Sequence, residues 1–100
     1  MLIEQCTVSR KTPLDGKLEI SAAAAARLGA LGASFSLESE GRDASARLIE
    51  LTCNCAKGGA AGAHVHHFVE SEALRALRPG AAVRLQLHTA HPGSLSVEPA

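Results

Sequence analysis

The residues best suited to chemistry lie close together: Cys53-Asn54-Cys55, eight small residues, then His64-Val65-His66-His67. Two thiols and three imidazoles within fifteen positions are soft donors that prefer zinc over magnesium, calcium or manganese. If the glycine-rich connection joins an antiparallel pair, the simplest register sets Cys55 opposite His64, Cys53 opposite His66 and Leu51 opposite Phe68. Residues two apart on a strand are about 6.7 Å apart, and cross-strand partners are about 4.5–5.5 Å apart at Cα. Four side chains rising from that rectangle can lean onto one ion, with about 2.3 Å to thiolate sulfur and 2.0–2.1 Å to imidazole nitrogen. Cys53, Cys55, His64 and His66 are thus the expected ligands of a Zn²⁺ site. Full protein coordination leaves no place for water, so the expected site is structural. On a regular strand His67 faces the other way, and only a bulge would exchange it with His66. Cys6 belongs to a separate strand and is expected in the core, with substitution for one of the four ligands as its alternative role. His88 and His91 approach the cluster only through barrel closure.

Two other readings of the same residues stand beside this one. Free cysteine is among the most buried residue types, so Cys53 and Cys55 could simply continue the apolar side of Ile49 and Leu51, with the histidines solvated. Thiol redox chemistry would need a lowered pKa, for which His64 or Lys57 is the available positive neighbour. There is no Ser-His-Asp order and no Walker-like lysine, because Lys57-Gly58-Gly59 has neither Ser nor Thr after it.

The elements that would hold these residues follow from alternation and punctuation. Residues 2–8 read as a strand closed by the turn around Pro13 and Gly16, and Leu18 and Ile20 alternate with Lys17 and Glu19 in a short strand with one wet face. Ser21 offers a cap to the alanine run that continues through Leu28 and Leu31, with Gly32 as its stop. Phe35 and Leu37 mark a third strand, ending at the polar turn 40–43. Arg47, Ile49, Leu51, Cys53 and Cys55 fall at every second position of a fourth. Residues 56–63 are only Ala, Gly and one Lys, which makes them a connector. His64 to Val69 resumes a strand, Ser71 and Glu72 open a short helix carrying Leu74 and Leu77, and Pro79-Gly80 stops it. Val83, Leu85 and Leu87 form another strand, and residues 95–97 a last one.

The order strand, Ser-capped helix, strand occurs twice, over residues 18–37 and 65–85. It resembles the half-repeats of small pseudo-symmetric barrels of the swapped-hairpin and double-psi families. That resemblance, over about 50 residues, implies an α+β fold: a small, mostly antiparallel β-barrel or half-barrel with two short helices. The swapped-hairpin barrels include DNA-binding members, so it also implies nucleic acid as one candidate partner. A second resemblance is to the first half of the first cupin motif, carried by Gly58, His64, His66 and Glu70. It implies an alternative function, a metalloenzyme with His64, His66 and Glu70 as a facial triad. The closing glycine of that motif would fall at Leu77, and the second cupin motif is missing.

Length and composition bound the whole. One hundred residues, 46% hydrophobic and 20% charged, describe one globular domain over residues 1–100. With two Phe, no Trp or Tyr and 19 Ala, the core must be built from Leu, Val and Ile over small side chains. A structural ion would support such a light core. Ten basic residues balance ten acidic ones, so no global field attracts phosphate backbones or anionic lipid. Arg42, Arg47, Lys57, Arg75, Arg78 and Arg84 would have to gather on one face to bind nucleic acid, and their ordinary role is as solvated charges. The longest apolar run, residues 22–26, is far short of the ~20 residues of a membrane span, so no membrane is expected as a partner. No secretory signal is visible at the start, which together with three cysteines predicts a cytoplasmic, reducing location. The expected role is a small zinc-binding interaction module for nucleic acid or protein.

Overall fold

The computed structural model describes residues 1–53, 64–88 and 94–100, except for the side chains of Cys53 and His64. Seven strands form one sheet: β1 (Leu2–Thr7), β2 (Lys17–Ile20), β3 (Phe35–Ser39), β4 (Arg42–Cys53), β5 (His64–Ser71), β6 (Ala82–His88) and β7 (Ser94–Pro99). Their order across the sheet is β1-β6-β7-β3-β4-β5-β2. The sheet curls into a small, nearly closed barrel, and its two ends approach where the Ser21 N–H donates to Glu4 Oε2 at 3.0 Å.

The sheet is mixed, a correction to the mostly antiparallel barrel read from the sequence. β3 and β7 run parallel, with Ser36 opposite Ser94 and Ser39 opposite Val97. Strands far apart in the chain can pair in parallel because the long crossover between them spares them the tight turn that forces a hairpin to be antiparallel. No local signal in residues 94–99 announces that partner. The twice-used strand-helix-strand order is present, and the first strands of its two units, β2 and β5, pair with each other. The larger likeness to a small barrel holds at that coarse level.

Local chemistry explains the elements between the strands. Helix α2 (Ala22–Leu28) starts at Ser21, whose Oγ accepts from the Ala24 N–H at 3.1 Å, and it tightens into a 3₁₀ turn (Gly29–Leu31) before Gly32. The helix expected after Ser71 is a 3₁₀ segment (Glu72–Ala76) capped by the Ser71 hydroxyl; Leu74 and Leu77 are buried as expected. The turn at Pro13 is a single helical turn, α1 (Thr12–Asp15). Gly16 closes it at φ 69°, and a Cβ there would stand 2.8 Å from the Ser71 carbonyl oxygen, so this position needs glycine for both backbone sign and space. Glu40 and Gly41, both at positive φ, make the two-residue turn between β3 and β4.

One hydrophobic cluster fills the barrel. Leu18, Leu28, Leu37, Leu74, Leu85, Leu95 and Val69 are at most 1% exposed. Alternation sets which side of each strand joins it, as in β3, where Phe35, Leu37 and Ser39 are buried and Ser36 and Glu38 are exposed. Among the described residues no helix is long and apolar enough to cross a membrane.

Candidate metal centre

The hairpin of β4 and β5 carries the cysteine-histidine cluster. Its ladder runs without a bulge from Ala46 opposite Ser71, through Leu48 opposite Val69 and Ile49 opposite Phe68, to Leu51 opposite His66 and Cys53 opposite His64. The expected register was two residues away. Parity is the same in both, so the buried face does not discriminate between them: a slip of one residue would invert the faces, a slip of two leaves them intact. The observed register sets Ile49 beside Phe68, a β-branched and aromatic pair, and Arg47 beside Glu70, with Arg47 Nε 2.7 Å from Glu70 Oε1. Those two cross-strand pairs are the signal in the sequence for this register.

The rectangle therefore becomes a triangle. Cys53 and His64 are directly opposite, and His66 lies two residues along, diagonal to Cys53 at about 7–8 Å between Cα atoms. Cys55 lies outside the described residues. The row containing Leu51, His66, Phe68 and Glu70 is the outer side of the barrel, since its alternates Val69 and Leu18 are buried in the core. Leu51 is 47% exposed there.

His66 is the best-defined member of the cluster. Its Nδ1 lies 2.8 Å from Glu19 Oε2 of β2, and its ring sits 6.4 Å from the Phe68 ring. In the sequence Glu19 shows only as one wet position of a short strand. The link depends on β2 pairing with β5, a contact between segments nearly fifty residues apart that no local pattern encodes. Leu51, Phe68 and His66 line an open cleft of about 600 Å³ together with Glu19, Lys17 and Arg10. His67 occupies the opposite side, as a regular strand requires, with Nδ1 3.6 Å from Glu50 Oε1.

The remaining sequence candidates are placed elsewhere. Glu70 is held by Arg47 and by Lys17, whose Nζ is 3.8 Å from Oε2. Because β5 runs unbroken from His64 to Ser71, His64 and Glu70 are roughly 20 Å apart along the strand, and His66 and Glu70 roughly 13 Å. Those three do not converge on one ion. Cys6 sits on β1 opposite Val83, its thiol directed to Glu4 Oε2 at 3.5 Å. Burial, and then the Glu4 carboxylate beside it, push its pKa up to about 12, so it stays a thiol and a poor metal ligand. His88 Nε2 is 2.9 Å from the buried Ser96 Oγ, and His91 lies outside the described residues.

Among the described residues no three His, Cys, Asp or Glu side chains stand together as a metal-binding group. Those residues do not include Cys55 or the side chains of Cys53 and His64. Of the basic residues, Arg47 is paired with Glu70, and Arg75 Nε lies 3.2 Å from Glu72 Oε2. Arg84 reaches the Pro99 carbonyl oxygen at 3.5 Å, while Lys57 is outside the described residues. No family model, curated protein or solved structure matches the chain.

Proposed function

We propose that this chain is a small barrel module that binds zinc at the end of the β4–β5 hairpin through Cys53, Cys55, His64 and His66, and that it serves as a binding or interaction domain. The observation that supports it most is the register, with Cys53 directly opposite His64 and His66 two residues along the same row. Cys55 enters from its sequence position alone. The donor set is chemically apt: two thiolates and two imidazoles satisfy a tetrahedral ion without water. The ion supplies cross-linking of two strands at a place where the hairpin has no core beneath it. Zero net charge and the carboxylate partners of Arg47 and Arg75 weigh against a broad phosphate-binding face, although nucleic acid stays one candidate partner.

Cobalt substitution tests the metal centre directly. The wild-type chain is expected to take up one Co²⁺ with intense thiolate-to-metal absorption, and C53S and C55S are expected to lose that band. A chain that binds no Co²⁺, or binds it without the band, refutes the centre. A titration against duplex and single-stranded nucleic acid at low salt tests the partner: no binding there removes nucleic acid.

A further inference from the structure

We infer that the outer cleft beside β2 docks an acidic peptide segment of a partner protein, with an apolar side chain of that segment on Leu51 and Phe68 and its carboxylates on Arg10 and Lys11. This names a partner for the interaction module proposed above and needs no bound ion. The cleft, about 600 Å³ in volume, is formed by the turn at residues 9–11, β2 and the β4–β5 hairpin. Register gathers its apolar part on one side: Phe68 of β5 stands between Glu19 of β2 and Ile49 of β4, and Leu51 follows two residues along β4. Leu51 is 47% exposed and Phe68 is half-buried, whereas the other phenylalanine, Phe35, is sealed in the core.

The charges around this apolar patch do not cancel. Arg10 and Lys11 are exposed and, among the described residues, have no carboxylate partner. The two carboxylates of the cleft are already engaged: Asp15 Oδ1 accepts from the Lys17 N–H at 2.9 Å, and Glu19 Oε2 is 2.8 Å from His66 Nδ1. A chain of zero net charge thus carries a locally positive rim beside an exposed leucine and a half-exposed ring. Such a patch complements a segment of opposite charge with an apolar anchor. Single-stranded nucleic acid fits it less well, because successive bases stack on several aromatic side chains. Phe68 is the one such ring outside the core, in a chain with two Phe and no Trp or Tyr.

The test is a titration of the full chain at low salt with a chelator present, so its outcome is independent of the zinc reading. The probe is a capped peptide of glutamates flanking a leucine-phenylalanine pair. Proton–nitrogen NMR is expected to show saturable shifts at Arg10, Lys11, Leu51 and Phe68 that weaken as salt is raised. R10E/K11E is expected to abolish saturation, and L51A to weaken binding by about tenfold. All three side chains are exposed, and the same spectra report that the variants keep the fold. A version of the peptide with glutamine for glutamate is expected to bind more weakly by about tenfold or more. No saturable binding of the acidic peptide, wild-type affinity in R10E/K11E, or equal affinity for the glutamine version overturns the docking site. A single-stranded oligonucleotide that displaces the peptide from these residues and binds more tightly overturns the assignment of the partner.

Discussion

The barrel body and the far end of the β4–β5 hairpin use the same alternation of side chains but obtain different things from it. In β3 every second residue is sealed, and in β6 Val83 and Leu85 are, with Leu37 and Leu85 at 0% exposure. Beyond the points where β3 and β2 stop pairing, at Ala46 and His67, the hairpin continues as a two-stranded ribbon. There Leu51 on one face is 47% exposed and Val65 on the other 48%. Alternation assigns a residue to a face; only a neighbouring layer makes that face an interior. A two-stranded ribbon is marginal in water by itself, so the segment that carries the cysteine-histidine cluster is also the segment a cross-link would stabilise most.

That contrast is open to measurement. The largest effect is expected in the body: Leu37→Ala should cost about 2–5 kcal/mol in denaturant unfolding, through lost burial and a residual cavity, whereas Leu51→Ala should stay within about 0.5 kcal/mol. Equal losses would mean that the ribbon is packed as tightly as the body. The next largest effect is expected from metal. Zinc at about a hundred times its dissociation constant should stabilise the chain by about 2.7 kcal/mol, read as a rise in Tm that chelation reverses and C53S abolishes. A Tm indifferent to both would separate the ribbon from any structural ion.

At the seam of the barrel the effects should be smaller. Ser21→Ala removes the cap of α2 and should cost about 1 kcal/mol. Glu4 closes the same seam. Partial burial pushes its carboxyl up, but hydrogen bonds from Ser21 and Cys6 outweigh this and hold it below its ordinary value of 4.5. A depressed carboxylate pKa contributes stability that is complete above the ordinary value and is lost as pH falls through the folded one. Acid unfolding should therefore draw on Glu4 below about pH 4.5, and E4Q should unfold with a shallower pH dependence in that range. An unchanged acid profile would place the closure of the barrel in its packing alone. Cys6 is expected to react slowly with thiol reagents at neutral pH, since its raised pKa keeps it protonated.

How much was legible varied with the range of the interaction. The Ser21 cap, the burial of Leu74 and Leu77 after Ser71, the placing of His67 opposite to His66 and the hairpin of β4 with β5 all follow from residues near in sequence. The parallel pairing of β3 with β7 does not, because both strands show an alternation compatible with either direction. The hairpin register was missed by two residues for the same reason: core parity is blind to an even slip, and the Ile49–Phe68 and Arg47–Glu70 pairs decided it. Glu19 was invisible as a partner of His66 because β2 meets β5 only after the barrel forms.

What the amino-acid order determined by itself was local: which residues cap, turn and alternate, and that thiols and imidazoles occur on two strands joined by a small-residue connection. Only the tertiary structure decided which side of the hairpin faces outward, which thiol position stands opposite which imidazole, and which carboxylate stands behind His66. The physical reason is that backbone geometry and turn chemistry act over a few residues, whereas register and cross-sheet contacts are selected by the combined packing of strands that the chain brings together from far apart.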